Sequence, residues 1–212
     1  MAKWLSILFL VAAACLAVSQ DKTASATKES TQSNCELTQD DYAVFGALLR
    51  ELGRPEHRPV YPEEAGNKEM LMAGVTLSPY PEQTNSGWGS RSKPGEAPSQ
   101  ETFNDSVEKA HAACIVQPEF GDPNSYRLIP RKELDSFFPK AGAGRWEAFY
   151  KKYPKSAGLW QFSRPGYNAT RDEALVYVIH SCNSLCGTGQ QYLLSKQSGK
   201  WTVKHRLMLW LS

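Results

Sequence analysis

The C-terminal third of the chain constrains the fold most. From Gly158 onward, apolar and polar residues alternate in runs broken only by short turn signals. The runs are Leu159 to Arg164, Ala174 to Ser181, Gln190 to Gln197 and Lys200 to Leu211, separated by Gly166 to Asp172, the cysteine-containing segment and Ser198-Gly199. Connections this short cannot carry a parallel crossover, so successive runs must pair antiparallel. The pattern predicts a four-stranded antiparallel β-meander. A two-residue hairpin at Ser198-Gly199 sets Gln197 opposite Lys200, Leu194 opposite Val203 and Tyr192 opposite His205. If Ser181 then faces Gln190, Ile179 faces Tyr192. Leu175, Tyr177, Ile179, Tyr192, Leu194 and Trp201 then share the more apolar face, which should take the helices.

Upstream, the apolar period becomes helical. Thr38 and Asp41 form a capping pair, and Tyr42, Phe45, Leu48, Leu49 and Leu52 follow at helical spacing up to Gly53. Glu101 to Cys114, Arg131 to Phe138 and Arg145 to Tyr153 read as further helices. In the last, Trp146, Phe149, Tyr150 and Tyr153 form an aromatic stripe beside Lys151 and Lys152. Such a stripe serves either a packed core, the simpler reading, or a carbohydrate or nucleic-acid platform. Met70 to Leu77 and Tyr126 to Ile129 read as short strands. The expected class is α+β, with helices packed on one face of the C-terminal meander. We expect Trp146, Phe149, Tyr150, Tyr177 and Trp201 in one shared core.

The first residues speak to compartment. Lys3 is followed by an uncharged stretch to Ser19, with a compact apolar run from Leu5 to Ala14. That run falls short of the roughly 20 apolar residues a membrane helix needs and fits a secretory signal. Ala17-Val18-Ser19 supplies the small residues that a signal peptidase reads. A signal peptide over 1–19, a polar tether over 20–37 and a single domain over 38–212 follow, with a Pro/Gly/Ser-rich loop at 78–100 carrying Trp88. A second outcome is lipidation: Ala12-Ala13-Ala14 precedes Cys15 as in a lipobox, which would make Cys15 a membrane anchor. A third is an uncleaved anchor.

Five cysteines become four on cleavage after Ser19, and an even count in an exported chain favours disulfides. Cys182 and Cys186 sit on a hairpin whose strands already bring them close, which predicts a bond. Gly187 and Gly189 are expected to take the positive φ angles of a tight loop. Cys35 and Cys114 would pair by elimination.

The segments Trp146-Glu147-Ala148-Phe149-Tyr150-Lys151-Lys152-Tyr153-Pro154, Phe162-Ser163-Arg164 with Gly166-Tyr167-Asn168, Ala174 to Val178, Cys182 to Gly189 as CNSLCGTG, Gly199-Lys200-Trp201 and Trp210 occur in that order. Together they resemble a group of uncharacterised exported bacterial proteins. The resemblance covers residues 126–212 and implies export without implying a chemistry.

Candidate chemistry is sparse. Lys and Arg total 24 against 22 Asp and Glu, a balance that argues against a dedicated nucleic-acid binder. His57, His111, His180 and His205 are the histidines. His180, Cys182 and Cys186 could begin a zinc site, but the spacing is not a standard ligand pattern. Cys182 and Cys186 as a redox pair would be one residue longer than C-x-x-C and would lead into a strand. No nucleophile elbow, H-E-x-x-H or phosphate loop is present. The sequence therefore supports no catalytic, cofactor or metal residue. It predicts an exported or envelope-associated non-catalytic protein that binds an unidentified partner or ligand, with a secreted hydrolase as the alternative and membrane contact only through Cys15.

Overall fold

The computed structural model describes residues 35–54, 69–78, 88, 93, 95–118, 120–122, 125–139 and 144–212. The signal segment 1–19 with Cys15, nearly all of the 20–37 tether, His57 and much of the 78–100 loop lie outside the described residues.

Helix α1 (Gln39–Leu52) begins as the sequence dictates. Thr38 Oγ1 accepts from the Asp41 amide and Asp41 Oδ2 accepts from the Thr38 amide, a reciprocal capping box. Val44, Phe45, Leu48 and Leu49 form its buried stripe. After β1 (Glu69–Ala73) come α2 (Gln100–Lys109), β2 (Arg127–Ile129), α3 (Arg131–Phe137) and α4 (Trp146–Lys152). Then β3 (Ser156–Phe162), β4 (Gly166–Tyr167), β5 (Glu173–Asn183), β6 (Cys186–Gln197) and β7 (Lys200–Leu211) follow.

The class is α+β, but the expected four-stranded meander is replaced by a seven-stranded mixed sheet in the order β2-β1-β3-β5-β6-β7, with β4 on β5. The C-terminal strands are antiparallel as read, whereas β1 runs parallel to both β2 and β3. Long, helix-bearing connections between β1 and β2 and between β2 and β3 permit this, because parallel neighbours need a crossover.

Helices cover both faces instead of one. α1 packs on Met72, Trp160, Phe162, Val176, Tyr192, Leu194 and Trp201. α3 and α4 contribute Leu134, Phe137, Phe149 and Tyr153 to a second cluster with Leu71, Ile129 and Leu159 on the other face. Trp88 and α2's Phe103 join Leu175, Leu193 and Leu207 further along that second face. The cause is in the strands: β1, β3 and β5 carry large apolar residues at successive positions, and such two-sided strands need two covers. The expected shared core therefore divides. Phe149 and Trp201 lie in separate clusters on opposite faces.

The β6–β7 hairpin holds the expected pairs Gln197↔Lys200 and Leu194↔Val203, with Ser198 at φ 50° and Gly199 at φ 76°. A bulge at Lys204 then sets Arg206, and not His205, opposite Tyr192. The β5–β6 register differs more. Both strands continue through the cysteine segment to Asn183↔Cys186, so Ser181 faces Gly187 and Val176 faces Tyr192. This odd-numbered slip turns Tyr192 and Leu194 to the same side as Val176 and Val178. Gly187 and Gly189 are strand residues outside the positive-φ set. A Cβ at Gly189 would collide with the Trp210 indole nitrogen, which donates to Tyr177 Oη at 2.7 Å. The glycine makes room for an indole instead of bending a loop.

Candidate functional site

The helix-bearing second face is covered at two ends. α3 and α4 sit over β2, β1 and β3, while Trp88 and α2 sit over the far strands. Between them lies a cleft of about 380 Å³, within the range of about 300–1,000 Å³ typical of small-ligand sites. Its floor is strand surface. Gln161 on β3 and Ser181 on β5 point to the same side, because Leu159 pairs with Ser181 and Gln161 with Ile179. Leu134, Phe138 and Trp146 form one wall, and Val75, Thr76 and Ser78 the other. Arg131 and Asp135, one helical turn apart, pair at 3.3 Å beside it.

Both walls are anchored. Cys35 and Cys114 are bonded, with Cα atoms 5.1 Å apart. The Cys114 amide donates to Thr76 Oγ1 at 2.8 Å, and Ser78 Oγ donates to the Ala110 carbonyl at 2.6 Å. These last two bonds also explain why α2 stops at Lys109, short of the expected Cys114: the chain beyond it is engaged by the cleft wall. Cys182 and Cys186 are bonded at a Cα separation of 5.2 Å, and the Cys182 carbonyl accepts from Tyr150 Oη of α4 at 2.7 Å. Behind α3 and α4, Glu133 accepts from Tyr153 Oη and pairs with Lys152. Burial and the Glu133 carboxylate together push the Tyr153 phenol well above its ordinary value.

Trp146 borders a second, shallower depression of about 680 Å³, together with Arg145, Glu147, Lys151 and Asn183. Within the aromatic stripe, Phe149 and Tyr153 are buried core, as the simpler reading expects, while Trp146 and Tyr150 are half-buried. Trp88 folds back onto the sheet as a buried residue and donates to Gln191 Oε1 at 2.6 Å.

The described histidines stand elsewhere. His180 is on the α1 side, 2% exposed, stacked on Trp160 with ring centroids 4.3 Å apart. Its Nε2–H donates to the Ala157 carbonyl at 2.9 Å, which fixes the tautomer. His205 of β7 faces Leu193 of β6, and His111 follows α2. The sulfurs of Cys182 and Cys186 are bonded to each other, so the His180–Cys182–Cys186 ligand set does not form. No group of three His, Cys, Asp or Glu side chains suited to a metal occurs among the described residues.

Burial lowers the His180 pKa from 6.5 to about 4. The unfolded chain therefore binds the extra proton at a higher pH than the folded one. Stability is fully present above about pH 6.5 and is lost as pH falls from there to about 4, by roughly 3 kcal/mol. We expect His180→Gln to flatten that segment of a stability-versus-pH curve measured by urea unfolding. An unchanged slope would show that other groups carry it.

Gln161, Ser181, Arg131 and Asp135 belong to no motif, and their juxtaposition follows only from strand register and helix placement. No family model matches the chain, and neither the curated proteins nor the solved structures give a match.

Proposed function

We propose that this is an exported or envelope-associated non-catalytic protein, akin to the exported bacterial group it resembles, that binds a ligand in the cleft between α3–α4 and the sheet. The cleft carries the reading. Polar side chains from separate strands meet there on a surface anchored by two cysteine bonds. Such bonds are compatible with an oxidising compartment, and no described helix is long and apolar enough to cross a membrane. Binding is favoured over hydrolysis because the buried His180 faces α1, on the opposite side of the sheet from the Ser181 hydroxyl. The test is fractionation of cells expressing the full chain, with intact mass of the product. A mature chain starting at Gln20 in the exported fraction is expected, and a diacylglyceryl mass on Cys15 would identify the anchored form. Full-length chain retained in the cytosol overturns the reading.

A further inference from the structure

We propose that the cleft is a binding site for a neutral oligosaccharide, an assignment that rests on its reading as a ligand site. The floor offers the Gln161 carboxamide and the Ser181 hydroxyl, neither of which hydrogen-bonds through its side chain to another described residue. Asn183 Oδ1 accepts from the Leu185 amide at 2.8 Å, which turns the carboxamide so that its NH₂ remains as a donor. Trp146 lines both the cleft and the neighbouring depression, so one aromatic side chain stands between two hollows of mixed apolar and polar lining.

A pyranose has the matching chemistry. Its axial C–H groups suit the negative face of an indole, and its equatorial hydroxyls both donate and accept, as an amide and a hydroxyl require. Linked sugars would extend from one hollow to the next across Trp146. The charges also fit a neutral ligand. In the cleft itself Arg131 is paired with Asp135, so the described charges there cancel, while the neighbouring depression carries Arg145 and Lys151 against Glu147. An extended peptide fits less well. The β3 and β5 backbones beneath the cleft are already paired with each other and leave no strand edge for a peptide backbone.

The probes are cellotriose, maltotriose and triacetylchitotriose, all uncharged, titrated into the full mature chain and followed by calorimetry and tryptophan fluorescence. At least one should bind saturably, with an affinity that changes less than about twofold between low and high salt, because the ligand is uncharged and the cleft's Arg131 is paired with Asp135. Gln161→Ala should weaken that binding about tenfold through loss of a hydrogen-bonding partner. Trp146→Ala should weaken it at least as much. Trp146 also packs on Phe138 and Phe149, so the half-buried Gln161 variant, checked by circular dichroism, is the decisive one. Absence of binding by all three sugars at about 10 mM, an affinity too weak for a built site, overturns the assignment. Equal binding by Gln161→Ala and the parent overturns it too. An extended peptide that needs Gln161 would remove the sugar assignment and leave the ligand-binding function standing. Retention of the chain in the cytosol would remove the function itself.

Discussion

Replacing Cys35 and Cys114 together by alanine is expected to destabilise the folded chain by about 4.5 kcal/mol. The two cysteines are 79 residues apart in sequence, and closing so long a ring removes a large share of the unfolded chain's freedom. The same chain-entropy reasoning gives only about 2 kcal/mol for Cys182–Cys186, whose separation is 4. The two bonds also act on different places. Cys114 is 1% exposed and, through Thr76, holds one wall of the cleft. Cys182–Cys186 closes a hairpin that the β5–β6 ladder already aligns. Chemical unfolding of the two double variants should therefore rank them clearly, with the Cys35/Cys114 variant the less stable by about 2.5 kcal/mol. Equal losses would show that the long ring is already restrained in the unfolded ensemble.

Trp201→Ala should cost about 3–5 kcal/mol, the range for removing a buried large aromatic side chain. Trp201 is 3% exposed and lies on the α1 side, with its ring centroid 5.8 Å from that of Tyr167. Tyr167 in turn donates to Asp41 Oδ1 at 2.8 Å, which ties β4 to the first turn of α1. Two double-mutant cycles read by urea unfolding distinguish this arrangement from one shared core. Trp201→Ala with Tyr167→Leu should show a coupling of about 0.5–1.5 kcal/mol, as touching aromatic pairs do. Trp201→Ala with Phe149→Leu should be additive, because Phe149 lies in the cluster across the sheet. Strong coupling to Phe149 would return both residues to a common core.

Local rules read well wherever a single turn or cap decided the outcome. The Thr38–Asp41 box starts α1, and Ser198-Gly199 sets the first pairs of the last hairpin. The β5–β6 register escaped because the hairpin turns at Ser184-Leu185, between the two cysteines, in a dipeptide without the glycine or asparagine that marks such a turn. The sheet's parallel half escaped for a different reason. β1 and β2 are five and three residues long, and nothing local to so short a strand names its neighbour. The cleft depends on the second of these. Gln161 and Ser181 share a surface only once β3 is paired with β5, and α3 and α4 reach that surface only because β1 and β2 extend the sheet beneath them.

The outer strand has a consequence for contact between copies of the chain. β7 is 12 residues long and ends the sheet, and a strand edge of that length invites foreign chains to add to it and grow into fibres. Two irregularities break its pairing rhythm, and Lys200, Lys204 and Arg206 stand exposed along it. Incoming strands meet an uneven ladder and a row of like charge, both of which discourage fibre growth. The bulge that displaces His205 from its expected partner thus also helps keep neighbouring molecules apart.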